Sequence, residues 1–225
     1  MLGDVGYVII SPEYFKELPF GGEYMAIKNV IFDVGNVLVA FRYKDYIRDL
    51  GGSEEVVRII DEEVVKGGIW NYLDEGKLPK EEVFDMIKKY LPGNEAIVDK
   101  IFDMKNIKDI IYQYDYTKKL MEQVKAAGLN IYILSNYPDW MWDFHDKEVF
   151  TFPKYADGIV VSGKVKMIKP HHDIYQYILD TYNLDPDQCL FFDDREDNIQ
   201  GACDLGIHGH IFTGYEDCRH IIGID

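Results

Sequence analysis

At 225 residues, 47% of them hydrophobic, the chain can form one good-sized domain or a core carrying a smaller insertion. Its 24 basic residues against 40 acidic ones leave a formal charge of -16, a field that repels polyphosphate backbones and anionic lipid surfaces and so argues against a nucleic-acid partner. No window reaches the roughly 18 uninterrupted apolar residues of a membrane span, and the sequence reads as soluble.

Met1 to Tyr24 contains Pro12, Pro19 and Gly21-Gly22 but no basic region followed by an apolar run, so it lacks the pattern of a secretory leader. Met25 then opens Met-Ala-Ile-Lys-Asn-Val-Ile-Phe-Asp, a natural first strand. Gly21-Gly-Glu-Tyr before Met25 is compatible with a purine-rich coding stretch like a bacterial ribosome-binding site, so translation is expected to start at Met25. The competing expectation is a short strand, Tyr7 to Ile10, added to the fold or to a partner.

The apolar run Val30-Phe32 predicts a buried strand ending at Asp33, in Asp33-Val-Gly-Asn36. From Arg42 to about Tyr112 the chain is far longer than a strand-to-strand crossover requires, and its pattern is helical. Ser53 can cap a helix with Glu54 and Glu55 in its first turn and Val56, Ile59 and Ile60 facing inward. Pro79 opens another, with Val83, Phe84, Ile87 and Leu91 inward and Pro92-Gly93 as its stop.

Leu120, Met121, Val124 and Ala127 recur at helical spacing before Gly128, and Leu129-Leu134 reads as the next strand, ending at Ser135-Asn136. After Lys169-Pro170 comes a helix with Ile174, Tyr177, Ile178 and Tyr182 on one face. Leu190-Phe192 and His210-Phe212 complete the set of short parallel strands, the first running into Asp193-Asp194 with Asn198 beyond. Strands alternating with helices predict an α/β fold.

Cys189, Cys203 and Cys218 are an odd count without metal-ligand spacing, which suits a reducing cytoplasm. His171-His172 and His208-Gly-His210 lack the spacing of a zinc site. Trp70, Tyr72, Trp140 and Trp142 can stack on a sugar, although aromatic residues beside helices more often pack a core.

Each polar segment taken singly is ordinary: a strand-ending turn, a solvated lysine before a helix, a capping acid. Together they point to a site, because open parallel sheets bind ligands where their strands end. Asp33, Asp193 and Asp194 gathered there would repel one another, and such crowding persists only with a cation or raised pKa values. Hard oxygen ligands select Mg2+, which bridges to phosphate oxygens. A carboxylate beside that ion can attack phosphorus, while Lys169, Ser135 and the backbone N–H groups near Asn136 neutralise charge on the transferring group.

This ordered set, an aspartate after a first strand, then Ser135, Lys169 and the Asp193-Asp194 pair, resembles the haloacid dehalogenase superfamily. The resemblance runs from Met25 to the C-terminus. It implies a Rossmann-like parallel sheet core built from residues 25–41 and 113–225. A small α-helical cap, residues 42–112, is inserted after the first motif strand, and residues 1–24 are an extension. It further implies Asp33 as nucleophile and Lys169 as its catalytic partner, with Ser135, Asn136 and Lys169 binding phosphate. Asp33, the carbonyl of Gly35 and Asp194 would hold Mg2+, supported by Asp193 and Asn198.

One departure stands out. Most phosphatases of this superfamily carry a second aspartate two residues after the nucleophile, and here that place is Gly35. The Asp-x-Gly-Asn opening, with the Lys-Pro…Ile-Tyr and Phe-Phe-Asp-Asp…Asp-Asn-Ile runs, resembles the α-D-glucose-1-phosphate phosphatase-like branch. The expected function is therefore Mg2+-dependent hydrolysis of a small phosphorylated metabolite, a sugar phosphate such as glucose 1-phosphate, through an aspartyl phosphate. A leaving oxygen that departs with little protonation favours sugar 1-phosphates over 6-phosphates. The alternatives are a 2-haloacid dehalogenase, a phosphomutase, or a catalytically weak binding or regulatory protein. The expected partners exclude nucleic acid and membrane, and the expected state is a cytoplasmic monomer or small homo-oligomer.

Overall fold

The structure, a computed structural model, describes residues 27–224; the expectations for Met1 to Tyr24 lie outside the described residues. Strand β1 (Asn29–Phe32) is buried along its whole length, which its unbroken apolar run anticipates. After a turn, β2 (Val39–Phe41) pairs antiparallel with β3 (Ile111–Gln113), two short strands that the sequence pattern does not announce.

Between β2 and β3 the chain is helical. It runs through α1 (Tyr43–Asp49), α2 (Glu54–Ile59), a π-helical turn (Ile60–Val65), α3 (Ile69–Glu75), α4 (Lys80–Lys88), α5 (Ala96–Ile101) and a 3-10 turn (Ile107–Ile110). Ser53 caps α2 by accepting the Val56 N–H at 3.4 Å. The inward residues are Val56, Val57 and Ile60, whereas Ile59, expected inward, is only partly buried because it falls at the edge of that arc.

The chain continues with α6 (Thr117–Ala126), β4 (Asn130–Ser135), α7 (Asp139–Glu148), β5 (Gly158–Val161), α8 (Ser162–Val165) and α9 (His172–Tyr182). It closes with β6 (Cys189–Asp193), α10 (Glu196–Cys203), β7 (His208–Ile211) and α11 (Tyr215–Ile222). The sheet order is β5-β4-β1-β6-β7, every neighbouring pair parallel. Successive β1 side chains enter opposite layers. Val30 and Phe32 join a core that includes Leu120 and Val124 of α6, and Ile31 joins one formed with Ile174, Tyr175 and Ile178 of α9.

Tyr177, expected on the inner face of α9, is 37% exposed, and Tyr175 is the buried aromatic residue. The inward arc runs through Ile174, Tyr175, Ile178 and Leu179, which leaves Tyr177 outside it. The last strand lies two residues earlier at its start than His210-Phe212 suggests, and β5 was not anticipated at all. Polar residues mask β7 in the sequence, but their rings are satisfied: His208 Nε2 lies 3.1 Å from the Asp187 carbonyl and His210 Nε2 2.8 Å from Asp217. Among the described residues, no helix is long and apolar enough to cross a membrane.

Candidate active site

Strand β1 is the centre of the sheet, and the chain builds first to one side of it through β4 and β5, then to the other through β6 and β7. That reversal opens a crevice at the carboxyl ends of β1, β4 and β6. The register makes those ends level, since Phe32 lies opposite both Ile133 and Phe192. Asp33 follows β1, with its N–H donating to the Phe192 carbonyl at 2.9 Å. Ser135 ends β4 and Asp193 ends β6. The Ser135 Oγ is buried without a hydrogen-bond partner among the described residues, an arrangement that calls for a ligand.

Lys169 reaches this point from the loop before α9 and is 3% exposed. Its ammonium donates to the Leu134 carbonyl at 2.9 Å, to Asp193 Oδ2 at 2.6 Å and to Asp33 Oδ1 at 2.9 Å, using all three donors. Burial pulls its pKa down, but Asp193 and Asp33 outweigh that, and the group ends above its ordinary value. Asn136 fixes the Lys169 backbone from both sides: its Nδ2 donates to the Lys169 carbonyl and its Oδ1 accepts the Lys169 N–H, each at 2.9 Å. The Asn136 side chain is thus engaged in positioning Lys169, and only its main chain remains for a phosphate.

Asp193 is fully buried and saturated. It accepts from Lys169, from the Arg195 N–H at 2.9 Å and from Asn198 Nδ2 at 2.9 and 3.0 Å. Asp33 has one cation and two neighbouring acids. Burial raises its pKa to about 7, with Lys169 opposing and Asp193 and Asp194 adding to the rise. The Asp194 carboxyl is also raised, chiefly by burial, despite a 2.9 Å hydrogen bond from Asn36 Nδ2.

Asp33, Asp193 and Asp194 each offer an oxygen within 4.8 Å of the others. An all-oxygen donor set with more negative charge than Lys169 neutralises fits a hard divalent cation. Gly35 lies in the turn after Asp33 and bridges to Val39, and a Cβ built on it would meet nothing within 4 Å.

The structure therefore brings Asp33, Gly35, Ser135, Asn136, Lys169, Asp193, Asp194 and Asn198 to one crevice. Asn36 went unassigned in the sequence. Its left-handed backbone, with φ of 55°, is a signal in retrospect, since asparagine tolerates that region. Asp74 also went unassigned, because it reads as an ordinary acid near a helix end. Trp70 and Trp142 pack rather than form a platform: Trp70 lies against Phe41 and Phe102, and Trp142 against Tyr137 and Phe150.

A family model described as haloacid dehalogenase-like hydrolase matches residues 27–206. The chain is 24% identical to a sesquiterpene phosphatase of Aspergillus oryzae, covering 87% of this chain and 97% of that one. It is 23% identical to a D-ribitol-5-phosphate phosphatase of Bacteroides thetaiotaomicron, covering 80% and 89%. Its fold is similar to that of a HAD family enzyme from Bacteroides thetaiotaomicron in complex with magnesium and inorganic phosphate. There the TM-score is 0.67 at 24% identity, covering 87% of this chain and 99% of that one.

Proposed function

We propose, from the premise that this chain belongs to the haloacid dehalogenase-like hydrolases, that it is a Mg2+-dependent phosphatase acting on a small phosphomonoester through an aspartyl phosphate on Asp33. The observation that carries the reading is Lys169 bridging Asp33 and Asp193 at 2.9 and 2.6 Å beside a third carboxylate, Asp194. A phosphoryl group is the electrophile that such a cluster suits, since positive charge is gathered around a nucleophilic oxygen. Phosphatases among the relatives, and a similarly folded enzyme crystallised with magnesium and phosphate, support the same reading.

In this mechanism Asp33 attacks phosphorus in line with the departing ester oxygen. Lys169 holds the Asp33 oxygen in place and offers charge to the phosphoryl group, while Asp193 and Asn198 keep the ammonium aimed. Ser135 Oγ and the main-chain N–H of Asn136 are the donors for the remaining phosphoryl oxygens. Asp33, the Gly35 carbonyl and Asp194 are the residues that would hold Mg2+, which when bound neutralises the phosphate and keeps Asp33 ionised. Residues 42–112 act as a cap over the crevice and choose among substrates, with 25–41 and 113–225 as the core.

The finer proposal is a sugar phosphate such as glucose 1-phosphate. It rests on Gly35, because a core without an acid there works best on a leaving alcohol as acidic as an anomeric hydroxyl. A dehalogenase would use Asp33 on carbon and leave three carboxylates with only Lys169 between them, which argues against that alternative. The test is a screen of phosphorylated metabolites scored by phosphate release, with Mg2+ and with a chelator. Mg2+-dependent release with glucose 1-phosphate ahead of glucose 6-phosphate is expected. A clear preference for the 6-phosphate overturns the finer reading, and no release from any phosphomonoester overturns the coarser one.

A further inference from the structure

Gly35 supplies no carboxyl to the crevice, but the helical segment carries a buried one close to the core loops. Asp74, in the last turn of α3, is 7% exposed, and its Oδ1 is buried with no hydrogen-bond partner among the described residues. The charged groups that act on it are Asp33 after β1, Lys169 before α9 and Arg195 after β6, and Asp74 in turn acts on Tyr137 after β4. All four flank the ends of the core strands, so Asp74 lies within electrostatic reach of the catalytic cluster, while Trp70 of the same helix shares a side-chain hydrogen bond with its carboxyl. It is not hydrogen-bonded to any of the four, which leaves its orphan oxygen for a ligand.

The placement of α3 is tightly fixed. Ser162 Oγ donates to the Asp74 carbonyl at 2.5 Å while accepting the Tyr137 N–H at 2.8 Å. Just past Asp74, Gly76 adopts φ of 64° and runs so close to α8 that a Cβ there would meet the Gly163 carbonyl at 3.0 Å. Gly163 is hemmed in equally, as its own Cβ would lie 2.5 Å from the Asp139 nitrogen. Two glycines back to back thus bring the end of α3 against the core loops that carry Asn136 and Tyr137.

We propose that Asp74 is the general acid and base of this phosphatase, delivered from the helical segment to the leaving-oxygen side in place of the carboxylate absent at Gly35. The inference rests on the phosphatase reading above and adds the missing proton. In the first step an Asp33 oxygen bonds to phosphorus and the phosphorus–ester oxygen bond breaks with its electron pair on the leaving oxygen. That oxygen takes the proton from the Asp74 carboxyl, giving the free alcohol and an Asp74 carboxylate. In the second step water attacks phosphorus, its proton passes to Asp74, and the phosphorus–Asp33 bond breaks to restore the Asp33 carboxylate and release inorganic phosphate.

The protonation state suits the role. Burial raises the Asp74 carboxyl to about 8, Trp70 opposing by a side-chain hydrogen bond, Asp33 adding to the rise, and Lys169 and Arg195 opposing it. The group therefore holds a proton at neutral pH and is close enough to titration to give it up and take it back. With such an acid, primary alkyl phosphates are also turned over, so the lead of the 1-phosphate in the wild type is narrowed but not reversed, and it widens when the acid is removed.

The test compares wild type and Asp74→Asn on p-nitrophenyl phosphate, glucose 1-phosphate and glucose 6-phosphate with Mg2+. For Asp74→Asn, kcat/KM on glucose 6-phosphate is expected to fall by about 10²-fold or more, and on glucose 1-phosphate by less. On p-nitrophenyl phosphate, whose leaving group needs no proton, kcat/KM should barely change. Its kcat should drop, with a burst of nitrophenolate, because water attack on the aspartyl phosphate slows. Gly35→Asp in the Asp74→Asn background should restore glucose 6-phosphate turnover, since the space at Gly35 is open. Equal losses on all three substrates, or a change confined to KM, overturn the role of Asp74 while wild-type turnover keeps the phosphatase reading intact. Absence of wild-type turnover overturns both.

Discussion

Lys169 sits between two acids that no other buried cation reaches among the described residues, and this makes its removal more damaging than the loss of one ion pair. Lys169→Met leaves Asp33 and Asp193 facing each other without a counter-charge, a change that costs about 3–5 kcal/mol for a broken buried pair. A large drop in Tm is expected, and adding Asp193→Asn should recover part of it by removing one of the two orphaned charges. Asp33→Asn is the opposite case. The amide keeps the shape and loses only the nucleophilic charge, so circular dichroism should match wild type while phosphate release all but disappears. A folded Asp33→Asn sample with wild-type turnover would rule out the covalent mechanism. Asp33, Ser135 and Asp193 were legible in the sequence because each closes an apolar run. Lys169 was legible because a proline and a helical pattern follow it. Asn36 and Asp74 were not, since Asn36 acts on a residue 158 positions away and Asp74 matters only once α3 meets α8.

At the scale of elements, β1, β4 and β6 could be read because they are apolar runs buried on both faces, while β2 and β3, at three residues each, are too short to show a period, and β5, as long as β1, was not picked out. Helix α7 was missed for a different reason. Its sequence, DWMWDFHDKE, mixes charge with aromatic residues and buries Met141, Trp142 and His145. His145 is fully buried, with Nδ1 accepting from Tyr137 Oη at 2.7 Å and Nε2 donating to the Ile107 carbonyl at 3.0 Å. It thereby ties the end of the helical segment to the core. Burial depresses its pKa to about 4, with the Ile107 carbonyl opposing. Between that value and the ordinary 6.5, the unfolded chain binds a proton here and the folded chain does not. Stability therefore rises with pH across this window and is lost as pH falls through it, by about 3 kcal/mol if the shift is fully expressed. His145→Phe removes the titration and two hydrogen bonds, so it should be less stable at pH 7 yet lose less on acidification. Urea midpoints between about pH 4 and pH 7 check this, and parallel curves for the two proteins would refute it.

For the molecule as a whole, the net charge of -16 and the three clustered carboxylates act in the same direction: both repel anions and both are relieved by a bound cation. A cation held by the folded crevice, and not by the unfolded chain, stabilises the fold by mass action. The gain is about 2.7 kcal/mol when its concentration is 100 times the dissociation constant. In a protein of this size that corresponds to a rise in Tm of roughly 5–10 °C. General screening of the acidic surface raises Tm as well, so the comparison must be made at matched ionic strength, with NaCl replacing MgCl2. Asp194→Ala removes one oxygen ligand, and it also frees Asn36 without burying a new charge, so the variant should fold and lose most of the Mg2+-specific rise. If wild type gains nothing from Mg2+ over NaCl, the cluster does not bind the ion in the folded state. If Asp194→Ala keeps the full gain, the ion is held elsewhere on the acidic surface and the assignment of Asp194 as its ligand fails.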